Sequence, residues 1–262
     1  MTTLFVAESG DPAGEPLLLL PGGGFSGAMW QPQVEALQEY HCYVMDLPGH
    51  GRSDGDFSLA AAAEGAAQVI GSSFDGRPAL VVGLSIGGAV GLELLCRRPE
   101  LVKAALLSGP TPRLPRWLVT ISDLACRPML ALMKSEQLAA MSLRQLHLPE
   151  HFQPMAAKEL AALTPRLFRQ INAATGEVRL PAGPVPRTLA VAGEHEPGIS
   201  LAHVRSLART TPGVTGALAL GMHHGWNLEA PELFTATVRA WFNEQPLPAQ
   251  IRLLAAPGPS TH

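Results

Sequence analysis

Serine, histidine and carboxylate residues stand in this chain at places where acyl chemistry would need them. Ser85 lies in GLSIGG (83–88), between the apolar ALVV and the helix-forming AVGLELLCRR. A serine on a tight strand-to-helix turn is held in strained backbone geometry, with its hydroxyl projecting from the sheet edge. Side chains near the turn would collide with it, and Gly83, Gly87 and Gly88 remove them. The helix that follows aims its free N–H groups at the nucleophile, and the residue after the serine, Ile86, supplies one oxyanion donor. A hydroxyl is a poor nucleophile without a base, and the base must be oriented by an acid. LGMHHGW (220–226) offers His223 and His224 as bases, and GEHEP (193–197) offers Glu194 and Glu196 as acids. The order along the chain is serine, acid, histidine, one of the orders in which such triads occur.

Such residues meet only if strands deliver their loops to one edge. Short apolar runs recur at LLLL (17–20), YVMDL (43–47), ALVVGL (79–84), AALLSG (104–109), TLAVAG (188–193) and GALAL (216–220). Their length, and their ends at Gly, Pro or Asp, predict buried parallel strands. Between them MWQPQVEALQEY (29–40), SLAAAAEGAAQVIGSS (58–73) and ELFTATVRAWFNEQ (232–245) predict helices, with Ser58 as an N-cap and Pro231 at a helix start. The expected class is α/β, a doubly wound and mostly parallel sheet. The alternation fails between about 110 and 184, where proline-rich PTPRLPRWL and LPAGPVPR bracket a stretch of helical composition. PLPAQIRLLAAPGPSTH, at 246–262, has four prolines and is expected to be a flexible tail.

Composition narrows the function. The chain has 262 residues, 47% hydrophobic and 16% charged, enough for one large core. A net charge of −3 and 5% aromatics leave no footprint for nucleic acid. Cys42, Cys96 and Cys126 form no metal-ligand spacing with the histidines, so no metal and no cofactor are expected. Unpaired thiols and the absence of a leader pattern at the start suit a cytoplasmic protein. The longest apolar stretch, ALVVGLSIGGAVGLELLC, is interrupted by Ser85, Glu93 and glycines, so no membrane span is expected. The sequence leaves a homo-oligomer open.

Taken together these segments resemble the α/β-hydrolase superfamily over roughly residues 4–110 and 184–245. The motifs that carry the resemblance are GLSIGG, LLLLPGGGFSGAMW (17–30), MDLPGHGRSD (45–54), GEHEP and LGMHHGWNLEAPELF (220–234). The resemblance implies Ser85 as nucleophile, Glu196 as acid where aspartate is commoner, and His224 as base. His223 then stands where a small glycine usually does, and Glu194 is left to bond loop backbone. The family's H-G-x falls on Pro21-Gly22-Gly23. That makes Gly23 the second oxyanion donor beside Ile86, with Gly24 as its alternative and Pro21 stiffening the turn. The implied organisation is a hydrolase core of 1–110 and 184–245 with a helical cap at 111–183.

The cap would set specificity. It holds Met129, Met133, Met141 and Met155, flexible side chains suited to an adaptable apolar pocket or to the cap's own core. Its 9 Arg and Lys against 5 Asp and Glu could steer an anionic acyl group or simply face solvent. Trp30 and Trp226 flank the oxyanion and histidine loops and either line the substrate pocket or pack beneath it, and Gly24, Met129 and Met133 join them as expected substrate contacts. The expected function is hydrolysis of a small-molecule carboxylic ester or thioester through an acyl-enzyme. Acyl transfer, perhydrolysis and C–C hydrolysis use the same residues, and a ligand-binding receptor or slow signalling protein is the reading from another class.

Overall fold

A computed structural model of the chain describes residues 3–74, 76–132 and 148–254, with residues 126–132 described by backbone alone. Among the described residues one sheet holds eight strands, ordered β1-β3-β2-β4-β5-β6-β7-β8. They are β1 (Val6–Gly10), β2 (Glu15–Leu20), β3 (Tyr40–Met45), β4 (Ala79–Leu84), β5 (Val102–Ser108), β6 (Thr188–Gly193), β7 (Val214–Ala219) and β8 (Ile251–Leu253). The inner pairs from β3 to β7 are parallel, while β1 joins β3 and β8 joins β7 antiparallel.

Side chains along each strand alternate between two cores. Leu17 and Leu19 enter one cluster with Trp30, Trp226 and Phe234, whereas Leu18 and Leu20 enter the other. Val81 and Leu80, and Ala105 and Ala104, divide in the same way. Helices therefore cover both faces: α1 (Gln31–Ala36) and, after the insertion, α9 (Pro231–Phe242) on the tryptophan side, with α2 (Leu59–Ser73) and α3 (Ile86–Arg97) on the other. The Ser58 hydroxyl accepts the Ala61 N–H at 3.1 Å, as its N-cap position predicts.

Between β5 and β6 lie α4 (Arg116–Leu132), α5 (Gln153–Ala162) and α6 (Pro165–Thr175), the helical insertion that the composition predicts. Thr164 caps α6 by accepting the Leu167 N–H at 3.1 Å, and Asn172 ties α6 to α4 through the Val119 carbonyl at 2.9 Å. The remaining helices are α7 (Gly198–Thr210) and the short α8 (Trp226–Glu229). No helix among the described residues is long and apolar enough to cross a membrane.

Three elements differ from expectation. β1 has no matching apolar run, because its residues are only half-buried at the sheet edge. The helix over 29–40 shrinks to a 3-10 turn, Gly27–Trp30, plus α1, since buried Tyr40 already belongs to β3. The expected tail also corrects: Ile251 is buried and pairs with Ala219, so 251–253 close the sheet, while 255–262 lie outside the described residues.

From β2 the chain crosses to β3 on one side and then to β4 on the other. The loops leaving β2 and β4 therefore diverge and open a crevice at the carboxyl ends of these strands.

Buried His50 and His203 give the fold a pH limit. Burial holds both below the ordinary histidine value, offset for His50 by the Pro48 carbonyl and nearby carboxylates. A lowered folded value means that the unfolded chain binds more protons, so their stability contribution is present above pH ~6.5 and is lost as pH falls below it. Thermal unfolding should show a falling Tm from pH 7 to 5, as unfolding free energy drops by at most about 1.4 kcal/mol per pH unit for each histidine. His203→Leu should flatten that slope; an unchanged slope would remove His203 from the account.

Candidate active site

Ser85 sits between β4 and α3 with φ 57° and ψ −116°, a region that side chains disfavour. Holding it there costs about 1–3 kcal/mol, and bonds on both sides of the residue oppose relaxation. The Ser85 N–H donates to the Ser108 carbonyl at 2.8 Å, and the Ser85 carbonyl accepts from Ala89 at 3.0 Å and Thr111 at 3.2 Å. The neighbouring glycines are steric necessities. A Cβ on Gly87 would lie 2.2 Å from the Leu20 carbonyl oxygen, and one on Gly83 would lie 2.5 Å from that of Gly87.

The two histidines are separated by their partners. His224 Nδ1 bonds Glu196 Oε2 at 2.9 Å, and the Glu196 side chain is fully buried. The other oxygen of Glu196 accepts the Gly193 N–H at 3.0 Å, which fixes the carboxylate in its loop. His223 instead meets Glu229, whose two oxygens take the His223 N–H at 2.8 Å and Nδ1 at 2.9 Å. Glu194 accepts the Gly221 N–H at 2.9 Å, the backbone role expected of it.

Ser85, Glu196 and His224 all line one cavity of about 400 Å³. Phe25, Met29, Leu84, Leu148 and Leu228 make its wall largely apolar. Two larger clefts, of about 630 and 640 Å³, contain no histidine. Chemistry rather than size selects the site. Ser85 makes no direct hydrogen bond to His224 among the described contacts; such bonds are commonly long before substrate binds and tighten with it.

Gly23 also lines the cavity, and a Cβ there would stand 3.1 Å from Ile86 Cγ1, so the two expected oxyanion donors are neighbours. The Ile86 N–H is an orphan donor of the first turn of α3.

The expected substrate contacts largely move elsewhere. Trp30 and Trp226 are both 0% exposed. They pack on Phe234 with ring centroids 5.6 and 4.5 Å away, and Trp226 Nε1 donates to the Ser108 hydroxyl at 2.7 Å. They are the floor beneath the two loops, because rings of this size complete the core under the sheet edge. Gly24 turns away with φ +83°, its Cβ position 3.7 Å from Leu163. The Met129 side chain and all of Met133 and Met141 lie outside the described residues. Met155 packs against the apolar clusters.

The model of the alpha/beta hydrolase family matches residues 17–237. The chain belongs to that family. It is 29% identical over 257 residues to an AB hydrolase superfamily protein of Gibberella zeae, covering 94% of this chain and 86% of the relative. A pimeloyl-[acyl-carrier protein] methyl ester esterase of Vibrio parahaemolyticus is 35% identical over 103 residues, 38% of either chain. A putative carbamate hydrolase of Azorhizobium caulinodans is 33% identical over 45% of this chain and 46% of its own. Among solved structures, a hydrolase from Pseudomonas aeruginosa superposes with TM-score 0.76 at 21% identity, over 92% of this chain and 94% of that one. At that identity it shares the fold alone.

Within this alpha/beta hydrolase site, Gly109, Glu229 and His195 escape the motif reading. His195 lines the cavity and stacks its ring 4.9 Å from that of His223. Glu229 lies six residues past His223 in LEAPELF, a spacing that becomes a contact only once α8 forms. Gly109, with φ +47°, follows β5 directly, and a Cβ there would stand 2.7 Å from His224 Cε1 and 2.9 Å from Glu196 Oε1. Gly109→Ala should therefore break the imidazole–carboxylate bond. Proton NMR should lose the downfield Nδ1–H resonance of His224, while circular dichroism stays that of the folded chain; a retained resonance would refute the steric assignment.

Proposed function

We propose that this alpha/beta hydrolase is a serine hydrolase of a small carboxylic ester or thioester, using Ser85, His224 and Glu196. The observation that carries the reading is that a strained serine opens onto the same cavity as a histidine bonded to a buried carboxylate. Ser85 Oγ attacks the carbonyl carbon while His224 Nε2 takes its proton. Glu196 holds Nδ1–H, which leaves Nε2 free to act as the base and stabilises the imidazolium. Gly23 and Ile86 N–H groups receive the oxyanion, each worth about 3 kcal/mol on the barrier. The leaving alcohol or thiol departs with the proton from His224. Water then gives a proton to His224 as it attacks the acyl carbon, and His224 passes that proton to Ser85 Oγ as the ester bond to the serine breaks and the acid is released.

A largely apolar cavity of about 400 Å³ suits an apolar acyl group of modest size. The partial relative named as a methyl ester esterase supports ester cleavage, while the one named as a putative carbamate hydrolase supports cleavage of a related carbonyl bond.

A fluorophosphonate probe and p-nitrophenyl acetate test this reading. Rapid labelling that disappears in Ser85→Ala, with many turnovers per chain, is the expected result. One labelled equivalent without turnover would indicate a ligand-binding protein on this scaffold instead.

The histidine assignment has its own test. His224→Ala should lower kcat about 10⁴-fold, whereas His223→Ala, which removes ring contacts to Glu229 and His195 away from the Glu196–His224 pair, should cost far less. Glu196→Gln should be much more damaging than Glu194→Gln. The opposite ranking in either pair would reassign the base or the acid.

A further inference from the structure

The turn after β2 carries Gly22, Gly23 and Gly24 and so has no side chains with which to hold itself. One backbone bond closes it, Phe25 N–H to the Gly22 carbonyl at 3.2 Å, and Gly22 N–H donates to Met29 Sδ at 3.1 Å; its far end is anchored by carboxylates from elsewhere in the chain. Ser26, at its end, donates its N–H to Glu159 Oε2 at 3.1 Å and its hydroxyl to Glu159 Oε1 at 2.6 Å. Glu159 belongs to α5, in the inserted helices, 133 residues away in sequence. The next residue, Gly27, donates to Asp46 Oδ1 at 2.6 Å, and Asp46 Oδ2 accepts from Arg52 at 2.8 Å. Two carboxylates thus pin the same turn, Asp46 from the sheet and Glu159 from the insertion.

Apolar contacts follow the same division. Leu163, just past α5, lies 3.7 Å from the Cβ position of Gly24, and Ile171 of α6 lies 3.1 Å from that of Gly23. These contacts hold the insertion against the turn, but among the described residues only the Glu159 bonds between them have direction. Glu159 faces the separate cleft of about 630 Å³ and is not on the wall of the Ser85 cavity. It does not line that cavity, so its route to the site runs through Ser26.

We propose that Glu159 is a positioning residue for the oxyanion hole. Its bidentate grip on Ser26 sets the orientation of the Gly23 N–H toward the developing oxyanion. Seating of the inserted helices and competence of the hole are then one event. This inference rests on the reading of Gly23 and Ile86 as oxyanion donors. A donor misplaced by a fraction of an ångström loses part of the 10²–10³-fold that its deletion costs, so a loss of about tenfold is expected. The pair is partly buried, so its loss also costs some global stability, but far less than loss of a core contact.

The test is steady-state hydrolysis of p-nitrophenyl esters by the full-length protein, beside affinity for a boronic acid, which mimics the tetrahedral oxyanion. Glu159→Ala should lower kcat about tenfold with KM within twofold, weaken the boronic acid by a similar factor and lower Tm by only a few degrees. Ser26→Ala keeps its N–H bond and should lose less, the double variant should be no worse than Glu159→Ala, and Ser26→Thr should retain activity. Should Glu159→Ala fail to fold, Ser26→Ala against Ser26→Thr gives the same readout. An unchanged kcat, a KM effect alone, or independent multiplicative losses at the two positions would overturn the proposal. Failure of the parent reading is distinct: the wild-type protein would then show no Ser85-dependent labelling or turnover, and both would fall together.

Discussion

The site depends on a contact with no room for a methyl group. The backbone of Gly87, in the first turn of α3, lies so close to the carbonyl oxygens of Leu20 and Pro21 that a Cβ would stand 2.2 and 2.5 Å from them. This packing presses the turn after β4 against the turn after β2. It brings the serine loop and the glycine-rich loop to one place, and it limits the relaxation of Ser85 out of its strained conformation. The crossover of chain direction between β2 and β4 opens the crevice, and the missing side chains allow its two lips to meet.

Adjacent histidines pose a second problem, since one imidazole must be distinguished from the next. The fold does so by assigning each its own carboxylate from a different direction. Glu196 arrives on the loop after β6, while Glu229 arrives from α8, beyond the histidines themselves. Below them Trp226 bonds Ser108, whose carbonyl also accepts the Ser85 N–H. Asn227 bonds the Met29 carbonyl at 3.1 Å, and Gln33 bonds the Asn227 carbonyl at 2.8 Å. The histidine loop and the glycine-rich loop after β2 are thereby sewn to a common floor of buried polar bonds, and such bonds are costly to leave unmade.

What could be read from the sequence follows from how local each signal is. Strands buried on both faces announce themselves as apolar runs, and the serine turn announces itself by glycines at short spacing. The Glu196–His224 pair was legible because each residue lies on a loop just past a strong strand signal. β1 and β8 were missed because edge strands are half-exposed or proline-flanked and carry little hydrophobic pattern. The tryptophans were left ambiguous because a bulky residue beside an active loop looks the same whether it faces the cavity or the core. Glu229 and Glu159 were hidden for another reason. Their partners are set by helix placement, and 133 residues separate Glu159 from Ser26, a distance no motif spans.

The last strand bears on how the chain can be handled. β8 covers the outer edge of β7, and Leu220, where the histidine loop begins, donates its N–H to the Gln250 carbonyl at 2.9 Å. Removing residues from 250 onward would uncover an apolar parallel strand with open pairing groups, a known invitation to self-assembly. It would also slacken the strand that launches His224. A purification handle or fusion partner therefore belongs beyond residue 254, where it leaves both the sheet border and the histidine loop undisturbed.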